Sequence, residues 1–170
     1  MKKLILLLGI LFISFSSNAQ IFGNWFYSSD NDPFSGSYQV ISTSGSGGQF
    51  PYRNPKMVIN RFDNDNNKIN IYFKDAGGTH CGSLKVYIVF DNDNKVYEHR
   101  ANTNVNKDTW FISFEQPLNR PNVNTLTRKE LFNKMKSRST MHVKVTSSCS
   151  SMRFRISLTG FTRAYNRMFN

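Results

Sequence analysis

The feature that most constrains the fold of this chain is a two-residue alternation of apolar and polar side chains, which recurs from residue 56 onward. Successive side chains of a β-strand point to opposite faces of a sheet, so this alternation predicts strands that each bury one face. A short candidate strand at residues 38–41 precedes them, and the chain is expected to be mostly β. The alternating runs are residues 69–73 (INIYF), 84–90 (LKVYIVF), 110–114 (WFISF), 141–145 (MHVKV) and 152–158 (MRFRISL).

Two short helices are predicted near the C-terminus. Thr127 and Glu130 form a capping box, so a helix is expected over residues 128–137. A second helix is indicated by an apolar stripe at the spacing i, i+3, i+4 and i+7, with Thr159 as its expected N-cap. The fold class predicted from these elements is an antiparallel β-sandwich of seven to eight strands with two short helices. The stripe consists of Phe161, Ala164, Tyr165 and Met168.

Two clusters of Asp and Asn, at residues 63–68 (DNDNNK) and 91–95 (DNDNK), each separate two strand-like runs. These residue types tolerate positive φ and cap their own backbone, so two similar β-hairpins are predicted. Alternating Asp and Asn oxygens also resemble the start of a calcium loop, but the glycine and the closing glutamate of an EF-hand do not follow at the required spacing. We therefore predict no metal site and no cofactor.

The N-terminus has the three-part pattern of a secretory signal peptide. Two lysines precede an apolar run at residues 4–15, and Ser17 and Ala19 supply small side chains at the −3 and −1 positions of a cut after Ala19. A membrane span needs about 20 apolar residues, so this run is too short to be one. We expect a signal peptide over residues 1–19, a single domain over residues 20–170, and a periplasmic or secreted location.

The sequence of residues 20–55 predicts a turn-rich segment that packs onto the rest of the domain through its aromatic side chains. It contains the turn-forming run 30–33 (DNDP) and the flexible run 42–48 (STSGSGG). One functional alternative uses this segment, because its aromatic residues could also contact a protein partner. The residues considered for that role are Trp25, Phe34 and Phe50.

Cys81 and Cys149 are the only cysteines of the chain. Because an exported protein meets an oxidising environment, a disulfide between them is predicted. Closing a loop of about 70 residues stabilises a fold by about 4 kcal/mol in the chain-entropy model. The alternative is a reactive thiol or a metal ligand, which His80 beside Cys81 suggests, but neither His99 nor His142 stands at a ligand spacing from them.

The charge of the chain is concentrated toward the C-terminus. The chain has 22 Lys and Arg against 11 Asp and Glu, a net charge of +11. From Arg120 onward, eleven basic residues stand against Glu130 alone. Such a basic region favours an acidic partner.

The predicted hairpin of residues 141–158 places part of this charge on one surface. If Val145 and Met152 face the core together, Lys144 pairs with Arg153 and His142 with Arg155 on the outer face. A register shift of two residues would change these partners but keep the face. Like charges opposed across strands destabilise a sheet by roughly a few tenths of a kcal/mol per pair, so the cluster predicts an anion-binding face. The basic residues expected at its rim are Lys134, Lys136, Arg138, Arg163 and Arg167.

No catalytic residue is predicted. The chain has no Gly-x-Ser-x-Gly elbow, no His-Glu-x-x-His motif and no phosphate-binding glycine loop, and its three histidines fall in different segments. Glu98 and His99 are neighbours, but alternation along a strand sends them to opposite faces. Each histidine is interpreted as an ordinary surface or hydrogen-bonded residue, and a hydrolase of unrecognised type is the third alternative.

Two C-terminal stretches resemble the ending of the invasion-associated locus B family of small exported β-sandwich proteins. They are residues 131–135 (LFNKM) and 154–164 (FRISLTGFTRA). Members of that family similarly close with a strand, a Ser-Leu-x-Gly-Phe-Thr-x-Ala type of turn and a short helix. The resemblance covers about 40 residues, and it implies export, a β-sandwich and an envelope or host-contact role, with no catalytic residues to transfer.

We therefore expect an exported, non-enzymatic binding protein whose basic C-terminal face contacts an acidic partner. The partners considered are acidic polysaccharide, lipopolysaccharide and an acidic protein. Nucleic acid is not favoured, because export removes the chain from most of it and no nucleic-acid-binding module is recognisable.

Overall fold

The computed structural model describes residues 19–32, 36–48, 54–63, 68–77, 81–104, 106, 108–114 and 123–170. The predicted signal peptide, the aromatic residues Phe34 and Phe50, and His80 lie outside the described residues.

The described part of the chain forms ten strands and two helices. All pairings between these strands are antiparallel, and one isolated bridge is parallel. The strands are β1 (Gln20–Phe22), β2 (Trp25–Asp32), β3 (Gly36–Ser46), β4 (Lys56–Phe62), β5 (Lys68–Lys74), β6 (Lys85–Phe90), β7 (Tyr97–Thr103), β8 (Thr109–Ile112), β9 (Thr140–Thr146) and β10 (Ser151–Ser157). The helices are α1 (Arg128–Ser137) and α2 (Phe161–Phe169).

Eight of these strands close into a barrel in the order β3-β10-β9-β6-β7-β8-β5-β4, and β4 pairs again with β3. β1 and β2 extend the sheet from the remaining part of β3. The predicted hairpins around the Asp/Asn clusters are confirmed, because β4 pairs with β5 and β6 pairs with β7.

The predicted β-sandwich is wrong, although the antiparallel β-rich class and the two helices are confirmed. β3 pairs with β4 along one edge, while its other edge pairs with β2 up to Ser42 and with β10 at Gly45 and Ser46. One strand thereby joins both ends of the sheet, and a closed barrel results instead of two packed layers.

The run at residues 42–48 that was predicted to be flexible is a strand over most of its length, because β3 continues to Ser46. Residues 20–55 contain β1, β2 and the barrel strand β3. The small and hydroxylated residues of β3 fit a strand because Ile41, Thr43 and Gly45 are buried in alternation. Trp25 is completely buried, and its indole nitrogen donates to the Ser157 carbonyl at 3.1 Å.

The helices pack by the apolar stripes that the sequence predicts. The capping box of α1 is confirmed, since the Thr127 hydroxyl accepts from the Glu130 amide and the Glu130 carboxylate accepts from the Thr127 amide. α2 packs on β1, β2, β3 and α1, and the Phe161 ring lies 4.9 Å from the Trp25 ring. The N-cap of α2 is Gly160, and the prediction of Thr159 is wrong because the Thr159 carbonyl instead accepts from the Asn24 amide.

The predicted disulfide between Cys81 and Cys149 is confirmed, with the two Cα atoms 6.0 Å apart at a sequence separation of 68. It ties the segment before β6 to the loop that joins β9 and β10. The Ser148 amide also donates to the Cys81 carbonyl at 2.9 Å, so the covalent bond and a hydrogen bond hold the same two loops together.

Gly160 supports the contact between α2 and the β1–β2 turn. Its φ of +92° lies in the left-handed region, and a Cβ at this position would overlap the Phe22 carbonyl oxygen. We expect Gly160→Ala to lower the free energy of unfolding by about 3 kcal/mol, because backbone strain and a steric clash add together. Urea unfolding followed by tryptophan fluorescence measures this loss.

Gly47 offers a matched control for this substitution. It has a similar φ of +85°, but no described atom lies within 4 Å of the position that its Cβ would take. Gly47→Ala should therefore lose about 1 kcal/mol from strain alone. Equal losses in the two variants would show that the close approach of Phe22 contributes nothing.

Candidate functional site

The predicted register of the β9–β10 hairpin is confirmed. Lys144 lies opposite Arg153, and His142 lies opposite Arg155. The alternate residues of both strands are buried in the barrel, so all four basic side chains are on its outer face. The apolar alternation fixes which side chains face outward, and the length of the loop between the two strands selects this register among those that differ by two residues.

A groove lies over these four residues and extends to the neighbouring strand β6. It has a volume of about 610 Å³ and includes Ser46 and Gly47 at the end of β3. We call it the basic groove. Its described lining residues are Ser46, Gly47, Tyr87, Val89, Val96, His142, Val143, Lys144, Arg153, Phe154 and Arg155.

Strand pairing arranges the outward side chains of the basic groove in two rows. One row runs from Tyr87 through Lys144 to Arg153. The other runs from Val89 through His142 and Arg155 to Ser46. Neighbouring strands are about 4.8 Å apart, so each row places apolar and basic groups within about 10 Å of one another.

The basic side chains of the groove make polar contacts but no ion pairs among the described residues. Arg155 donates from Nε to the Ser46 hydroxyl at 3.1 Å. The Lys144 ammonium lies 5.5 Å from the centre of the Tyr87 ring. Arg153 and Arg155 are exposed, so an anion arriving from solvent can reach both.

The carboxylates close to the groove are already engaged elsewhere. Glu98 pairs with Lys85 at 2.7 Å. Asp91 lines an adjoining depression of about 320 Å³ that shares His142 and Arg155 with the groove. Its carboxylate accepts hydrogen bonds from the backbone amides of residues 139 and 140. Neither carboxylate forms an ion pair with the four basic residues of the groove in the described structure.

The five residues predicted as a rim stand apart from the groove, because none of them lines it. Lys134 pairs with Asp93 at 2.6 Å, and Lys136 lies 3.4 Å from the centre of the Tyr165 ring. Arg167 lies over Tyr27. Arg138 ends α1, and Arg163 is exposed on α2.

The ion pair of Lys134 with Asp93 fixes α1 to the β6–β7 turn. The hydrogen bond from Lys134 lowers the pKa of Asp93 to about 2, and the Tyr97 hydroxyl donates to the same carboxylate at 3.0 Å. The same bond raises the pKa of Lys134. Lys134 is therefore committed to an internal contact, in contrast to the basic residues of the groove.

His99 is the polar residue that the sequence interpretation misplaced. It is only 4% exposed, its Nε2 atom has no hydrogen-bond partner among the described residues, and its ring lies 5.2 Å from that of Phe114. Burial lowers its pKa to about 4. It faces the core between Tyr97 and Ala101, so the alternation of β7 was the signal that could have placed it inside.

No group of three potential metal ligands occurs within the residues that the structure describes. In the same part of the chain, no helix is long and apolar enough to cross a bilayer.

Of the three aromatic residues that the sequence indicated as a protein contact, only Trp25 lies within the described residues. Trp25 is in the core and cannot contact a partner. Ile21 and Phe26 lie opposite each other on β1 and β2 and are 75% and 40% exposed. Their side chains therefore form a small exposed apolar surface on the β1–β2 hairpin.

Comparison with known proteins supports the fold. No protein-family model matches the chain, and no curated protein matches it. Among solved structures, the chain is similar to invasion associated protein B from Bartonella henselae, with a TM-score of 0.58 and 14% identity. The match covers 90% of this chain and 96% of that chain. The likeness therefore extends well beyond the C-terminal residues that carried the sequence resemblance, and at this identity it shows a shared fold alone.

The burial of His99 makes stability depend on pH in a defined window. Its pKa is about 4 in the folded protein, against 6.5 for a histidine in the unfolded chain, so the unfolded chain binds the extra proton between these values. Stability from the neutral ring is complete above pH 6.5, and about 3 kcal/mol of it is lost as the pH falls to about 4. Urea unfolding at successive pH values measures this loss.

His99→Gln should flatten the pH dependence in that window, because glutamine does not titrate. His142→Gln is the matched control, because it makes the same substitution at an exposed histidine on the outer face of the barrel. An unaltered slope in the His99 variant would contradict the assignment. Asp93 does not interfere, because its contribution is lost below about pH 4.

Proposed function

We propose that this protein is exported to the periplasm or the medium and binds an acidic partner, without catalysis, through the basic groove. The observation that carries this proposal is the placement of Lys144, Arg153, Arg155 and His142 on adjacent strands with no carboxylate paired to them among the described residues.

The energetics of the hairpin support a binding role. Lys144 stands directly opposite Arg153, and this opposition of like charges costs roughly a few tenths of a kcal/mol. An anion placed between them converts this repulsion into attraction for both strands. The arrangement thus weakens the empty protein slightly and favours the bound one.

Acidic polysaccharide, lipopolysaccharide and an acidic protein are the partners that this chemistry supports. Each carries exposed negative groups that two arginines and a lysine can bind by charge-assisted hydrogen bonds. Export is supported by the N-terminal sequence pattern and is compatible with the disulfide between Cys81 and Cys149.

The groove is less suited to acid–base catalysis than to binding. His142 lines it, but none of its described lining residues carries a carboxylate that could orient the imidazole. Asp91 in the adjoining depression is held by backbone amides. These features support binding over hydrolysis.

Reversal of the three central charges tests the proposal. We expect Lys144→Glu/Arg153→Glu/Arg155→Glu to reduce binding of heparin or lipopolysaccharide at least about a hundredfold, because attraction becomes repulsion at the contact itself. Binding to the parent protein should weaken steeply as salt rises from low to physiological concentration. Isothermal titration across a salt series measures both effects, and circular dichroism checks folding.

The matched control changes the net charge equally at a distance from the groove. Lys56, Lys129 and Arg163 are exposed and do not line it, so reversing these three should alter affinity only a few-fold. Similar losses in both triple variants would mean generic charge attraction and would overturn the site. Equal weak binding of heparin, lipopolysaccharide and DNA would do the same.

A second candidate function is a protein contact through the β1–β2 hairpin. Ile21 and Phe26 are exposed there, and within the described sheet β1 pairs with β2 alone, so an edge is open to another strand. We expect Ile21→Ser/Phe26→Ser to reduce self-association in sedimentation experiments without affecting salt-dependent anion binding. Unchanged association in that variant would exclude this hairpin as the contact.

A further inference from the structure

The basic groove has an apolar floor that its charge does not explain. Tyr87 and Val89 occupy the outward positions of β6, between the buried residues Val86, Ile88 and Phe90. Outward positions of an antiparallel strand are normally polar when one face is solvated. Val96, at the end of the β6–β7 turn, adds a side chain that is 52% exposed.

Apolar and basic side chains are segregated by strand within the groove. β6 contributes Tyr87 and Val89, whereas β9 and β10 contribute the four basic residues. We call Tyr87 and Val89 on β6 the apolar column, and Arg153 and Arg155 on β10 the arginine column. The two columns are two strand spacings apart, about 10 Å. A ligand that satisfies both columns has an apolar part and a negative group at opposite ends.

Two apolar side chains of the floor are less exposed than the two arginines. Tyr87 and Val89 are half-buried, while Arg153 and Arg155 are exposed. A flat anionic surface, such as a bilayer, would meet the arginines first and leave the floor uncovered. A single molecule can instead lower its apolar part into the groove, whose volume of about 610 Å³ lies within the range of small-molecule sites.

We propose that the basic groove binds single anionic amphiphiles, with an alkyl chain on Tyr87, Val89 and Val96 and a phosphate or sulfate group between Lys144, Arg153 and Arg155. This inference rests on the proposed function and specifies its ligand class. The Ser46 hydroxyl, which Arg155 already contacts, stands at the anionic end of the second row.

Both ends of such a ligand contribute to affinity. Burial of the alkyl chain removes apolar surface from water on the ligand and on the floor at once. The anionic group gains charge-assisted hydrogen bonds and relieves the repulsion between Lys144 and Arg153. A ligand with one of these parts alone forgoes the other gain and binds more weakly.

Calorimetric titration of the purified protein with three probes tests this inference. The probes are decyl phosphate below its micelle concentration, inorganic phosphate, and the uncharged decyl maltoside. We expect decyl phosphate to bind at least about tenfold more tightly than either of the others, because it alone satisfies both columns. Equal binding of decyl phosphate and inorganic phosphate would overturn the inference.

Substitution of the floor separates it from the charges. Val89→Thr/Val96→Thr should weaken decyl phosphate binding about tenfold, because a hydroxyl replaces one methyl group at each position, and should weaken heparin binding by a smaller factor. Val40→Thr is the matched control, because Val40 is a half-buried strand residue that lines no described part of the groove. Thermal unfolding checks that all variants are folded.

The outcomes distinguish this inference from the proposed function. Heparin binding without any preference for decyl phosphate would overturn the amphiphile and leave the anion-binding function in place. Absence of binding to every anion would overturn both. Tighter binding to phosphatidylglycerol vesicles than to monomeric decyl phosphate would overturn the single-molecule ligand in favour of a membrane surface.

Discussion

Closure of the barrel through β3 is the constraint on which the rest of the structure depends. One edge of β3 pairs with β4, while the other is divided between β2 and β10. Gly45 permits this, because a Cβ there would lie 2.8 Å from the Ile156 side chain and 3.0 Å from the Arg155 carbonyl oxygen. The close approach brings Ser46 beside Arg155 and makes the end of β3 a wall of the basic groove.

The local parts of the fold were predictable from the sequence, and the non-local closure was not. Alternation gave the outward face of the β9–β10 hairpin, and capping chemistry gave the start of α1, because both depend on neighbouring residues. The pairing of β3 with β10 joins residues about a hundred positions apart, and no periodicity encodes it. The strand nature of β3 was hidden because its buried positions include Thr43 and Gly45, which also suit a flexible turn.

The same division between local and non-local features applies to the candidate site. The four basic residues were placed by the hairpin, but the rim was assigned by charge alone and was therefore mixed with residues that serve the fold. Lys134 holds the β6–β7 turn, and Lys136 covers Tyr165. The groove itself needs β6 beside β9, a pairing of distant segments that sequence alternation does not specify.

The barrel wall has a polar residue on its inner face and apolar residues on its outer face. Inside, His99 is kept neutral by burial, so no charge disturbs the apolar core around it. Outside, β6 leaves Tyr87 and Val89 on the solvated face, directly beside the basic residues of β9. Stability accounts for an apolar core and a charged surface, but it does not require apolar residues on the outer face next to a cluster of basic ones. Strand pairing places these apolar and basic residues side by side. The proposed ligand, with an apolar and an anionic end, would contact both sets.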